Sequence, residues 1–114
     1  MKQTTKKRFP EMIERHPNAD IPIKGLMSKL IQADDQQFVF MEFEEDIEVA
    51  EHSHNAQWGV VLEGEMELSI EGVSRTLGKG DTYYIEKDSV HSAKIKKGYK
   101  DLTLFDQKDR YKTK

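Results

Sequence analysis

The hydrophobic period of this chain changes once. Residues 9–17, Phe-Pro-Glu-Met-Ile-Glu-Arg-His-Pro, allow one short helix, opened by a proline in its first turn and ended before the next proline. A segment of that kind caps something else. From Ile21 onward the period is two, almost to the end. Residues Gln37–Phe43 are dense in strand formers and apolar on both faces, which predicts a strand covered from two sides. Residues 65–71 alternate without a fault and send Met66, Leu68 and Ile70 inward. Further strands are predicted over Gln57–Glu63, Val73–Leu77, Thr82–Ile85, residues 90–96 and Lys100–Phe105, with turns at Glu71-Gly72 and Gly78-Lys79-Gly80-Asp81 and a polar corner at Glu44-Glu45-Asp46. Eight or nine short strands with no long helical pattern between them make an all-β sandwich or barrel.

Composition narrows the chemistry. A length of 114 residues holds one domain. The absence of cysteine excludes disulfides, thiolate nucleophiles, zinc fingers and iron–sulfur clusters, so any metal is held by nitrogen and oxygen. Eighteen basic against twenty-one acidic residues give a net charge of -3, and no interior stretch is a basic face with interleaved aromatics. This argues against a nucleic-acid partner. No apolar run can span a bilayer and the polar start is no signal peptide, so the expectation is a cytoplasmic protein without a membrane partner. Residues 1–8 and 108–114 are rich in Lys and Arg and read as solvated tails. The expected division is a tail and short helix over 1–20, a β domain over 21–107 and a basic tail over 108–114.

Two of the four histidines stand as His52-Ser53-His54. In a strand, positions i and i+2 project from one face about 6.7 Å apart, close enough for both rings to meet one metal about 2.1 Å from each nitrogen. The alternative is a solvent-exposed His-Ser-His on a turn. His16, between an arginine and a proline in the short helix, reads as a surface residue.

The surroundings of the pair resemble the paired signature of the cupins, small β-barrel proteins that hold a metal near the barrel axis. In the first motif His52, His54 and Gly64 match, and Asp46 stands where the leading glycine would. In the second, Gly80 and His91 match at the required spacing, while Glu86, Asp88 and Ile95 replace the proline, second glycine and asparagine. Aspartate tolerates left-handed backbone better than most residues, so the changes at 46 and 88 are mild.

The resemblance implies a jelly-roll β-barrel holding one divalent transition metal (Zn, Fe, Mn, Ni or Cu) on His52, His54, Gln57 and His91. Position 57 carries an amide where the motif usually has a carboxylate, which leaves a bound ion its full charge and favours an anionic ligand. Gln57 is an odd step from His54, so a bend at Asn55-Ala56 has to turn it inward.

Strand parity then puts Ala50 with His52, Ala93 and Ile95 with His91, and Gly59 and Val61 with Gln57. Phe38, Phe40, Met66, Tyr83 and Ile85 are candidates for the remaining wall, and Tyr83 or Tyr84 for a proton donor. Trp58 faces away, toward a homodimer interface. The expected function is that of a metal-binding cupin acting on a small organic molecule as an oxygenase or isomerase. The alternative is a non-catalytic binding or sensing protein.

Overall fold

The computed structural model describes residues 9–114, and the expectation for residues 1–8 lies outside them. After Pro10 comes a single helical turn, α1 (Glu11–Glu14). Nine strands follow among the described residues: β1 (Leu26–Gln32), β2 (Gln37–Phe43), β3 (Ile47–His52), β4 (Gln57–Glu63), β5 (Met66–Ile70), β6 (Val73–Leu77), β7 (Thr82–Ile85), β8 (His91–Ile95) and β9 (Lys100–Phe105). All pairings are antiparallel, in a five-stranded sheet ordered β1-β2-β9-β4-β7 and a four-stranded sheet ordered β3-β8-β5-β6. The two sheets face each other as a jelly roll.

The alternating pattern sets which face each strand buries. Met66 and Leu68 of β5, Tyr83 and Ile85 of β7, and Val61 of β4 enter the core between the sheets. The turns use the backbone freedom of their residues. Glu71 (φ 48°) and Gly72 (φ 81°) both lie in the left-handed region, the geometry that closes a two-residue hairpin between twisted strands.

Strand β2 is covered on both sides, but not as a wall of one cavity. Gln37, Val39, Met41 and Phe43 face inward; Phe38 and Phe40 lie on the outer face, where Phe9 meets Phe40 edge to face with centroids 5.4 Å apart. The short N-terminal helix and its preceding Phe9 are therefore the expected cap, and Phe38 and Phe40 are removed from the candidate lining.

Residues 108–114 are not a solvated tail throughout. The Gln37 side chain, 1% exposed, donates from Nε2 to the Tyr111 carbonyl (2.8 Å) and accepts from the Tyr111 N–H (3.0 Å). Beyond it, Thr113 bridges to Ala19, and the Asp20 and Lys114 amides donate to Lys112 and Asn18 carbonyls (2.7 and 2.9 Å). One amide buried in β2 thus ties the chain end across the open side of the sandwich. Charge counting misses this because the lysines stay exposed while Arg110 and Tyr111 turn inward.

Candidate metal centre

The three histidines of the two motifs come from three places in the chain and meet between the sheets. His52 ends β3 and His91 begins β8, directly opposite it. The register slips between Val49 and His52, so that Ala50 and Glu51 together oppose Ser92. This bulge reverses the side-chain parity of β3. Val49 and His52, three apart, both face inward, and Ala50, although exposed, still borders the cavity beside His52. His54 lies past the strand end, in the crossing from one sheet to the other, so the i, i+2 strand argument does not apply to it. The same crossing removes the parity conflict at Gln57, which opens β4 in the opposite sheet.

Ring centroids are 5.2 Å apart for His52–His54, 4.2 Å for His52–His91 and 4.8 Å for His54–His91. One ring nitrogen of each lies within 4.8 Å of the others, and the three could hold a metal ion. Each ring is oriented by its other side. Nδ1 of His52 lies 2.9 Å from the Ala50 carbonyl, that of His54 2.7 Å from the Asn55 carbonyl, and that of His91 2.9 Å from the Ser89 carbonyl. A carbonyl only accepts, so each Nδ1 carries the hydrogen and each Nε2 keeps its lone pair. That is the backing a metal-ligating imidazole ordinarily has.

The turn before β8 touches two of the histidines, His91 through its ring and His54 through its backbone. Asp88 adopts φ 65°, the left-handed geometry for which the motif uses glycine, and its amide donates to the His54 carbonyl (2.8 Å). Burial lowers the pKa of His54 to about 4, helped by the positive charge of Arg110, and burial also lowers that of His91. Both are neutral at pH 7, as ligation requires. The donor set, three imidazoles beside an amide, fits the first-row divalent ions; nitrogens about 2.1 Å from one ion at tetrahedral angles are about 3.4 Å apart, so nitrogens now within 4.8 Å of one another close by at most about 1.4 Å per pair.

The histidines sit at a cavity of about 460 Å³, within the range of small-molecule sites. Its walls are mostly apolar, from Met41, Phe43, Leu68, Ile85, Ile95 and Phe105. Gln57 and Tyr83 also line it, whereas Tyr84 is 58% exposed on the outer face and is no candidate proton donor. The Tyr83 ring crosses Gly59, where a Cβ would lie 2.2 Å from Cζ, so only glycine lets the phenol reach the interior.

The sequence profile described as "Cupin domain" matches residues 38–106. This chain belongs to the cupin family. Among solved structures, an RmlC-like cupin from Shewanella frigidimarina NCIMB 400 is 23% identical, with 96% of each chain covered and a TM-score of 0.73. KdgF from Halomonas sp. is 22% identical over 81% of this chain and 88% of its own, with a TM-score of 0.69. A single-substitution variant of oxalate decarboxylase from Bacillus subtilis is 21% identical over 82% of this chain but only 28% of its own, with a TM-score of 0.67. At these identities the likeness is one of fold. No curated protein matches the chain.

Relative to the cupin motifs, His52, His54 and His91 are brought together, Gln57 lines their cavity, and His16 lies in the bend past the end of α1, outside both the cluster and the cavity lining. Three polar lining residues lie outside those motifs: Asp101, Arg110 and Tyr111. Arg110 is stacked on Tyr111 and Phe105, 4.5 and 5.8 Å from the ring centroids, and its Nε is buried without a hydrogen-bond partner. Strand parity carries the signal for Asp101, since it shares the face of Phe105 on β9. Nothing local in the sequence marks Arg110, because a neighbouring strand holds it in place.

Proposed function

We propose that this cupin binds one divalent transition metal through Nε2 of His52, His54 and His91 with Gln57 as an oxygen ligand, and acts there on a small organic anion by oxygenation or isomerisation. The observation that carries this reading is the backing of all three rings by carbonyls at Nδ1, which leaves three lone pairs for one centre. A bound ion would serve as a Lewis acid for an oxygen of the substrate. No carboxylate belongs to the histidine cluster, and of the charged groups at the cavity wall Asp101 is engaged by Tyr83 and Tyr99, whereas Arg110 keeps a buried Nε without a hydrogen-bond partner. A carboxylate-bearing molecule answers both, while the apolar walls take its hydrocarbon part. Fold neighbours include an oxalate decarboxylase with Mn(II) centres, a precedent for metal beside a small carboxylate in this fold.

The test is calorimetric titration of the metal-loaded protein with small mono- and dicarboxylates, with oxygen uptake and solvent-deuterium incorporation followed in parallel. Binding that falls about tenfold in Arg110→Gln, with turnover in one of the two assays, is the expected result. Binding without turnover would make this a sensing cupin, and equal binding by Arg110→Gln would exclude the anion reading.

The assembly proposed is a homodimer through the outer face of the five-stranded sheet. Ile31, Phe38, Leu104, Trp58 and Tyr84 are successive cross-strand neighbours, one from each strand, forming an apolar row about 19 Å long. Trp58 and Tyr84 are 40% and 58% exposed on it. Such a row is self-complementary about a two-fold axis. Sedimentation at micromolar concentration is expected to give a dimer for the wild type and a monomer for Trp58→Glu; a monomeric wild type would refute the assembly.

A further inference from the structure

Beneath the histidines a line of hydrogen bonds runs from Gln57 to a carboxyl group outside the cluster. Gln57 Nε2 donates to Thr103 Oγ1 (3.2 Å), which lies 2.9 Å from the Tyr83 hydroxyl. Tyr83 donates to Oδ2 of Asp101 (2.8 Å), and Tyr99 donates to the same oxygen (2.9 Å). Asp101 is 4% exposed, and its Oδ1 has no hydrogen-bond partner. We propose that Asp101 is a positioning residue that, through Tyr83 and Thr103, fixes which end of the Gln57 amide faces the histidines. The proposal rests on the reading of Gln57 as the oxygen ligand.

The direction of each bond follows from a count of hydrogens. An ionised carboxylate only accepts, and each hydroxyl has one hydrogen to give. Tyr83 spends its hydrogen on Asp101, so toward Thr103 it can only accept. Their 2.9 Å contact needs a hydrogen, so Thr103 gives its own to Tyr83 rather than to the more distant Trp58 carbonyl (3.4 Å), and toward Gln57 it too can only accept. Only the NH₂ end of the amide satisfies it there. The carbonyl oxygen, which is the end that binds cations, is left for the histidine side. Burial raises the Asp101 pKa to about 6, which leaves it ionised at pH 7.5.

The same count accounts for the amide at 57, where the family motif carries a carboxylate. A carboxylate there has no N–H for Thr103 and would set acceptor against acceptor at the end of a line that begins with an acceptor. An amide at 101 removes the conflict, because it can donate to Tyr83 and let every bond in the line reverse.

The test is a double-mutant cycle on metal-free protein at pH 7.5, read by urea unfolding. Gln57→Glu is expected to raise the unfolding equilibrium constant about tenfold in the wild type and by much less in Asp101→Asn. Equal cost in both backgrounds would overturn the proposal. Repulsion between two carboxylates could mimic the coupling, so the cycle is repeated in Thr103→Val, which breaks the line and keeps the charges. Coupling that vanishes there is expected; coupling that persists would show Asp101 acting as a charge and overturn its positioning role.

As a second readout, Thr103→Val, near-isosteric with threonine, is expected to weaken Co(II) binding about tenfold while retaining a cooperative thermal transition, and Thr103→Ser to restore it. Unchanged affinity would overturn the link to the metal ligand. Because the cycle needs no metal, it stands apart from the test of metal binding itself.

Discussion

Alanine at His52, His54 or His91 is expected to abolish stoichiometric metal uptake, whereas alanine at His16 leaves it unchanged. Each of the three rings offers a nitrogen within 4.8 Å of the other two, and each is oriented by a backbone carbonyl. Losing a group that merely backs a ligand costs roughly 10- to 100-fold in affinity, so losing a ligand outright should cost on the order of a thousandfold. Dialysis against the metal followed by elemental analysis gives the occupancy. The variants differ in a second respect. His91 is 5% exposed within the core and His52 is only half-buried, so His91→Ala should also lower the thermal midpoint and His52→Ala should barely move it. Full occupancy in all three variants would refute the centre.

Periodicity reads well where one strand answers to one sheet. The limits of Gln37–Phe43, Gln57–Glu63, Val73–Leu77, Thr82–Ile85 and Lys100–Phe105 are those of the structure, because alternation and turn residues are local properties. It fails where a distant contact overrides local parity. The bulge before His52 is set by pairing with β8, so Ala50 could not be placed from β3 alone. Phe40 looks like core from composition, yet it is only half-buried on the outer face, where Phe9 packs against it. The inward turn of Arg110 depends on Gln37, more than seventy residues away, gripping the backbone of Tyr111. The histidines were legible because spacing in two motifs survives substitution of their glycines, and Asp88 shows why: it takes the backbone angle that glycine would.

The other large effect falls on stability and depends on pH. Burial raises the Asp101 carboxyl from an ordinary 3.8 to about 6, outweighing the hydrogen bonds from Tyr83 and Tyr99 that favour its ionised form. A carboxyl whose folded pKa lies above its unfolded value binds its proton more tightly in the native state. Its favourable contribution is complete below about pH 4 and is lost as pH rises through about 6. A shift of roughly two units amounts to about 3 kcal/mol. Asp101→Asn, which keeps the shape and cannot ionise, is therefore expected to be more stable than the wild type by about 2–3 kcal/mol at pH 7.5, with the gap closing near pH 4. The histidines act in the opposite sense. His54 and His91 have lowered pKa values, so the stability they contribute is present above their unfolded value of 6.5 and falls away in acid. Both proteins share that loss, and the difference between their urea midpoints isolates the carboxyl. A gap that does not depend on pH would mean that Asp101 has an ordinary pKa. A wild type more stable than Asp101→Asn at pH 7.5 would mean that the two tyrosine hydroxyls outweigh its burial.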